Sequence, residues 1–186
     1  MTESLARHAP ADPEEARDLR RILGFVARHA NPFDRRIAEG HLTGSALVVS
    51  ASGDQTLLLF HRKLSRWVQP GGHADAEEDS GEVVALREAV EETGIAGLAL
   101  HPRAPRPLDV DIHVIPALGA EPAHEHLDLR YLVIAPDDTR LAPAAGETRV
   151  LGWFGWEELA GLDLDPGLRR ALGKARQAMQ QAKDRA

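Results

Sequence analysis

Between residues 13 and 29, apolar Ala16, Leu19, Ile22, Leu23 and Val26 recur at three- and four-residue intervals, the period of an amphipathic helix. Asp12 is placed to cap it, Pro13 suits its first turn, and Glu14 and Glu15 favour the positive end of its dipole. The spacing predicts a helix that ends near His29, ahead of Asn31-Pro32, and a loose tail before it. From Leu42 the period shortens. Ala46–Val49 and Thr56–Phe60 read as strands of a hairpin around Ser52-Gly53-Asp54, and Arg66–Gln69 as a third, stopped by Pro70-Gly71-Gly72. A second helix is expected from about Ser80 to Thr93, closed by Gly94. His101 to Pro107 holds three prolines and reads as a loop. Leu108–Ile115 and Glu125–Ile134 alternate as strands across a Gly119-Ala120-Glu121-Pro122 turn, and Arg149–Trp153 is the last strand expected. Asp165-Pro166 opens a final helix with Leu168, Ala171, Leu172, Ala175, Ala178, Met179 and Ala182 along one side. Strands with one helix among them and one after them imply an α/β layered domain with a mixed sheet. Its expected span is 42–186, with residues 1–41 a tail and helix packed on it; a homodimer contact is the other use for that helix.

A chain of 186 residues with 43% hydrophobic and 27% charged residues can bury a real core in one domain of ordinary size. The net charge of -7 argues against a general binder of nucleic acid or anionic membrane, since both rest on basic surface. With no cysteine, disulfides, thiolate zinc sites and a cysteine nucleophile are excluded. No apolar run has transmembrane length and no apolar segment follows a positive N-terminal flank, so the cytoplasm is the expected location.

The chemistry concentrates on the second helix. Glu88, Glu91 and Glu92 stand at i, i+3 and i+4, so their carboxylates share one face. Like charges at these spacings cost roughly 0.2–0.5 kcal/mol per pair. Acids in a last helical turn cost roughly 0.3–1 kcal/mol each against the macrodipole. Arg87 reaches Glu91 only in the weaker orientation, cation before acid. A hard divalent cation such as Mg²⁺, with Mn²⁺ as a substitute, would relieve the repulsion through carboxylate oxygens.

The run Arg87-Glu88-Ala89-Val90-Glu91-Glu92-Thr93-Gly94-Ile95 resembles the second half of the Nudix hydrolase signature, with Ala89 where a larger aliphatic is usual. The first half carries one extra residue. Counted forward from Gly72 the usual glutamate falls on Glu78, and counted back from Arg87 it falls on Asp79, which is favoured because its spacing to the helix is kept. The resemblance implies the Nudix α/β/α sandwich with an N-terminal helical extension. It implies hydrolysis of the pyrophosphate bond in a nucleoside diphosphate joined to another group, with Mg²⁺ held by Glu88, Glu91 and Glu92 and supported by Asp79 and Gly72. Arg87 would position Glu91. The general base would be a signature-helix glutamate or an acid on a later loop, a place that Glu147 resembles. A catalytically weak nucleotide-binding module is the competing reading. The isopentenyl-diphosphate isomerase branch contains a run similar to Trp67-Val68-Gln69-Pro70-Gly71-Gly72-His73, but it relies on a catalytic cysteine that this chain lacks.

Two strands add polar residues in alternation. Asp109, Asp111 and His113 share one face, and His124, His126, Asp128 and Arg130 share another. A wet face, substrate recognition through His126, Asp128 and Arg130, or an added metal site of the Mn²⁺ or Zn²⁺ kind would each explain them. Arg62, Lys63 and His73 are candidates to meet substrate phosphate. The expected partner is a small nucleoside diphosphate derivative, with no stable nucleic-acid complex and no membrane. Which derivative is left open.

Overall fold

The computed structural model describes residues 2–62, 64–117, 119, 122–137, 139–142 and 150–184. Helix α1 (Thr2–Ala6) precedes α2 (Pro13–Arg28), which Asp12 caps by accepting from the Glu15 N–H at 2.8 Å. The expected loose tail is therefore corrected in part: α1 buries Leu5 in the same core as Leu19, Ile22 and Phe25 of α2. The strands are β1 (Gly40–Val49), β2 (Gln55–His61), β3 (Arg66–Val68), β4 (Gly71–His73), β5 (Ala99–Leu100), β6 (Asp109–Ile115), β7 (His124–Ile134) and β8 (Val150–Gly155). Helix α3 (Gly81–Thr93) lies between β4 and β5, and α4 (Pro166–Lys183) follows β8. Among the described residues, no helix is long and apolar enough to cross a membrane.

Among the described residues, these eight strands form one mixed sheet. Its spine is the parallel pair β1–β7, in register from Gly40–Glu125 to Val49–Ile134. The expected β1–β2 hairpin pairs only at Val49–Thr56, because β2 turns away to β3 and β8. The edge of β1 that β2 leaves is taken by β4, with Thr43 opposite His73 and Ser45 opposite Gly71. Pro70-Gly71-Gly72 was expected only to stop the third strand; Gly71 and Gly72 also begin a further one, paired with β1.

Alternation along β1 and β7 assigns two faces. Leu42, Ala46, Val48, Leu129, Tyr131 and Val133 pack with α2 and α3 on one. Leu47, Val49 and Leu132 pack under Leu168, Ala171, Leu172 and Ala175 of α4 on the other. This is the expected α/β/α layering. Helix α3 sits close to β1: a Cβ on Gly44 would lie 2.4 Å from the Gly81 carbonyl oxygen and 2.9 Å from the Ala85 nitrogen. Its buried face is consequently built from Val84, Ala85 and Ala89, which accounts for the small residue at position 89. Val83 and Val90 lie on its outer side and are exposed.

Candidate active site

Helix α3 ends at Gly94 in the left-handed conformation (φ 70°), whose N–H returns to the Val90 carbonyl. That stop fixes Glu88, Glu91 and Glu92 in the last two turns, beside β4. Glu92 is buried, and its Oε2 accepts from the Gly71 N–H at 3.0 Å. The Glu88 carboxylate lies against Gly72 so closely that a Cβ there would sit 2.5 Å from it. A side chain at position 72 would fill this cradle. Glu91 is on the outer flank, its side chain 56% exposed. Mutual repulsion leaves the three fanned around the helix end, two turned to the glycines and one to water.

Arg87 ties the loop before α3 to this fan. Its Nε and Nη2 grip the two Glu78 oxygens at 2.9 and 3.0 Å, a two-point fork of the strong, directional kind. Nη2 also donates to the His73 carbonyl at 2.7 Å, and Nη1 reaches Glu88 at 3.1 Å and Glu91 at 3.2 Å. The hydrogen bond from Arg87, against a smaller cost of burial, holds the Glu78 carboxyl below the usual range. Glu78 is thus the acid that Arg87 engages, whereas the count back from Arg87 had favoured Asp79. The exposed Asp79 is one residue beyond it, so the extra residue of the loop is taken up between Glu78 and the helix, and the count forward from Gly72 is kept.

The polar alternation of β6 and β7 proves to be an interior feature. Arg130 is 2% exposed and donates to Asp128 at 3.0 Å, Asp111 at 3.0 Å and Asp109 at 3.3 Å. Asp128 also accepts from Thr43, Ser45 and Gln69. Arg170 and Lys174 of α4 bond Asp109, and Lys174 bonds Glu15 of α2 as well. Burial alone would raise the Asp111 carboxyl, but the hydrogen bond from His113 and the charge of Arg130 override it and hold it down to about 2. Asp128 and Arg130, expected to bind substrate, are instead spent on one another and on this sealed network. A wet strand face is ruled out for the same reason.

His126 lies on that face beyond Asp128, with its Nε2 3.0 Å from the Nε2 of His73. Burial first, and the neighbouring imidazoles second, push His126 down to about 2; burial and the charge of Arg35 push His73 down to about 4. Both rings are neutral at physiological pH. Sequence reasoning missed His41, the partner of His126 across β1–β7. The first strand was read only from Ala46, whereas β1 starts at Gly40; continuing the alternation back from Ser45 and Thr43 would have reached it. Arg62 is exposed in the β2–β3 turn, and Trp67 packs edge-on against Phe60 and Phe154. Lys63 and Glu147 lie outside the described residues.

Residues 41–174 match the family model described as NUDIX domain. Among solved structures, the chain is similar to a NUDIX-family hydrolase from Clostridium perfringens, at 24% identity, TM-score 0.54, covering 76% of this chain and 97% of that one. It is similar to an Ap4A hydrolase from C. elegans in a binary complex, at 20% identity, TM-score 0.53, with coverage of 75% and 98%. The NUDIX domain of Shewanella oneidensis NrtR, complexed with ADP ribose, shares 16% identity at TM-score 0.50, with coverage of 84% and 97%. At such identities the likeness is one of fold. No curated protein matches the chain.

Proposed function

This chain belongs to the Nudix family, and on that premise we propose that it hydrolyses the pyrophosphate bond of a nucleoside diphosphate joined to another group, in the cytoplasm. The observation that carries the reading is the cradle between α3 and β4. Glu92 is anchored on the Gly71 N–H, Glu88 fills the space that Gly72 leaves, and one guanidinium braces Glu88, Glu91 and Glu78. Oxygen donors from several carboxylates, next to a backbone without side chains, suit a hard divalent ion, so Glu88, Glu91 and Glu92 would hold Mg²⁺ or Mn²⁺ there. When bound, such an ion supplies charge neutralisation for the diphosphate and a lowered pKa for a water.

The chain's own residues do the rest. Arg87 restrains the Glu88 and Glu91 carboxylates, a positioning role that its fork on Glu78 makes rigid. Glu91, held by Arg87 yet open to water, and Glu147 are the two candidates for the base that takes the proton of the attacking water. Arg62 and Lys63 are the cations we assign to substrate phosphate.

The test is a panel of nucleoside diphosphate derivatives, dinucleoside polyphosphates and ADP-ribose among them, assayed for phosphate-containing products with Mg²⁺ or Mn²⁺. Turnover of at least one class is expected. Tight nucleotide binding with no product from any would leave the chain a binding module instead.

A further inference from the structure

Four strands deliver five imidazoles to one spot on the sheet face opposite the Glu88 cradle. His41 of β1 and His126 of β7 are register partners; His113 of β6 pairs His126 from the other side, and His73 of β4 sits opposite Thr43. His124 precedes His126 on the same face. Ring centroids are 4.7 Å apart for His73–His126 and 5.0 Å for both His41–His73 and His41–His126. Among the described residues, one group of three ligating side chains has its donor atoms all within 4.8 Å of one another, and it is His41, His73 and His126.

The spacing has a chemical meaning. Nitrogens bound to one tetrahedral Zn²⁺ at about 2.0–2.1 Å stand about 3.4 Å apart. His126 Nε2 is 3.0 Å from His73 Nε2 and 3.3 Å from His124 Nε2. His124 Nδ1 is 3.0 Å from the Pro122 carbonyl oxygen, which can only accept, so that nitrogen donates to it. A backbone carbonyl fixing the far nitrogen is the outer-shell arrangement that ligating histidines use.

We propose that His41, His73 and His126 form a Zn²⁺ site, with His124 as a fourth imidazole beside it, separate from the carboxylate cradle and independent of the reaction assigned to that cradle. The two sites differ in donor type. Imidazole nitrogens select a borderline transition ion, whereas the oxygens of Glu88 and Glu92 select Mg²⁺. The Zn²⁺ site is closed on the side of the buried His41 and meets solvent past His113, whose side chain is 42% exposed.

The experiment is a Zn²⁺ titration of the chelator-stripped full chain in saturating Mg²⁺, with bound metal counted by elemental analysis and Co²⁺ absorption as a spectroscopic replacement. One equivalent of Zn²⁺ per chain is expected. It should weaken in His73→Ala by more than the roughly 10–100-fold seen when only outer-shell partners are lost. Glu88→Gln should retain it. His73 is on a short outer strand, so that variant tests the site without disturbing the β1–β7 spine; His126→Ala, if it folds, should behave alike. No Zn²⁺ uptake by the wild-type chain under saturating Mg²⁺ would overturn the proposal. So would uptake abolished by Glu88→Gln and untouched by His73→Ala.

Discussion

The two faces of the sheet carry similar amounts of acid and treat it in opposite ways. Beside α3, Arg87 engages three carboxylates (Glu78, Glu88 and Glu91), Glu92 accepts from the Gly71 N–H, and Glu91 stands largely in water. Under α4, Asp109, Asp111, Asp128 and Glu15 are met by Arg130, Arg170 and Lys174, and every acid but Asp111 is at most 1% exposed. Charge taken out of water must be matched inside the protein, because an unpaired buried ion costs several kcal/mol. Charge left at the rim can stay in excess. The difference separates acids that hold the fold together from acids available to something outside it.

Substitutions can push this comparison in either direction. The largest effect is expected at the rim in activity alone: Glu92→Gln and Glu88→Gln should lower turnover by about 100-fold or more while far-ultraviolet circular dichroism stays unchanged. Unchanged rates would remove both from the reaction. Next, Arg130→Met should cost about 3–5 kcal/mol in denaturant unfolding, since it strands buried carboxylates. Arg87→Met should cost less stability than that and more activity; equal losses of stability would erase the contrast between the faces.

Asp111→Asn refines the picture through pH. Its carboxyl is held at about 2, below the ordinary aspartate value of 3.8, so the stability it contributes is fully present above the higher value. That contribution, about 2 kcal/mol, is lost as pH falls from about 4 towards 2. The gap between wild type and variant should therefore close over that interval; a gap independent of pH would mean packing, not charge. The smallest effect is expected from Asp12→Ala, about 1 kcal/mol for the lost cap of α2, with turnover unaffected.

The helices were legible because their ends are written in local chemistry: Asp12-Pro13, Gly94 and Asp165-Pro166 act within a turn of where they stand. The short strand β4 was not, because Gly71-Gly72 has turn composition and pairs only through β1, some thirty residues earlier. Alternation correctly grouped Asp109 with Asp111, and Asp128 with Arg130. It could not say that Arg170 and Lys174, far along the chain, would arrive to cover them. Counting could not tell which of Glu78 and Asp79 Arg87 would bind either; that depends on the reach of Arg87 across a folded loop to Glu78. The carboxylates of α3 were the clearest signal, since a local excess of like charge is visible before any folding.

Binding of Mn²⁺ followed by nuclear magnetic resonance tests most directly whether the α3 rim is built for a cation. Substoichiometric Mn²⁺ should broaden the amides of Gly71, Gly72, Glu88 and Glu92 first, and Glu88→Gln should abolish that selectivity. Broadening spread evenly over the acidic surface, or unaffected by Glu88→Gln, would contradict it.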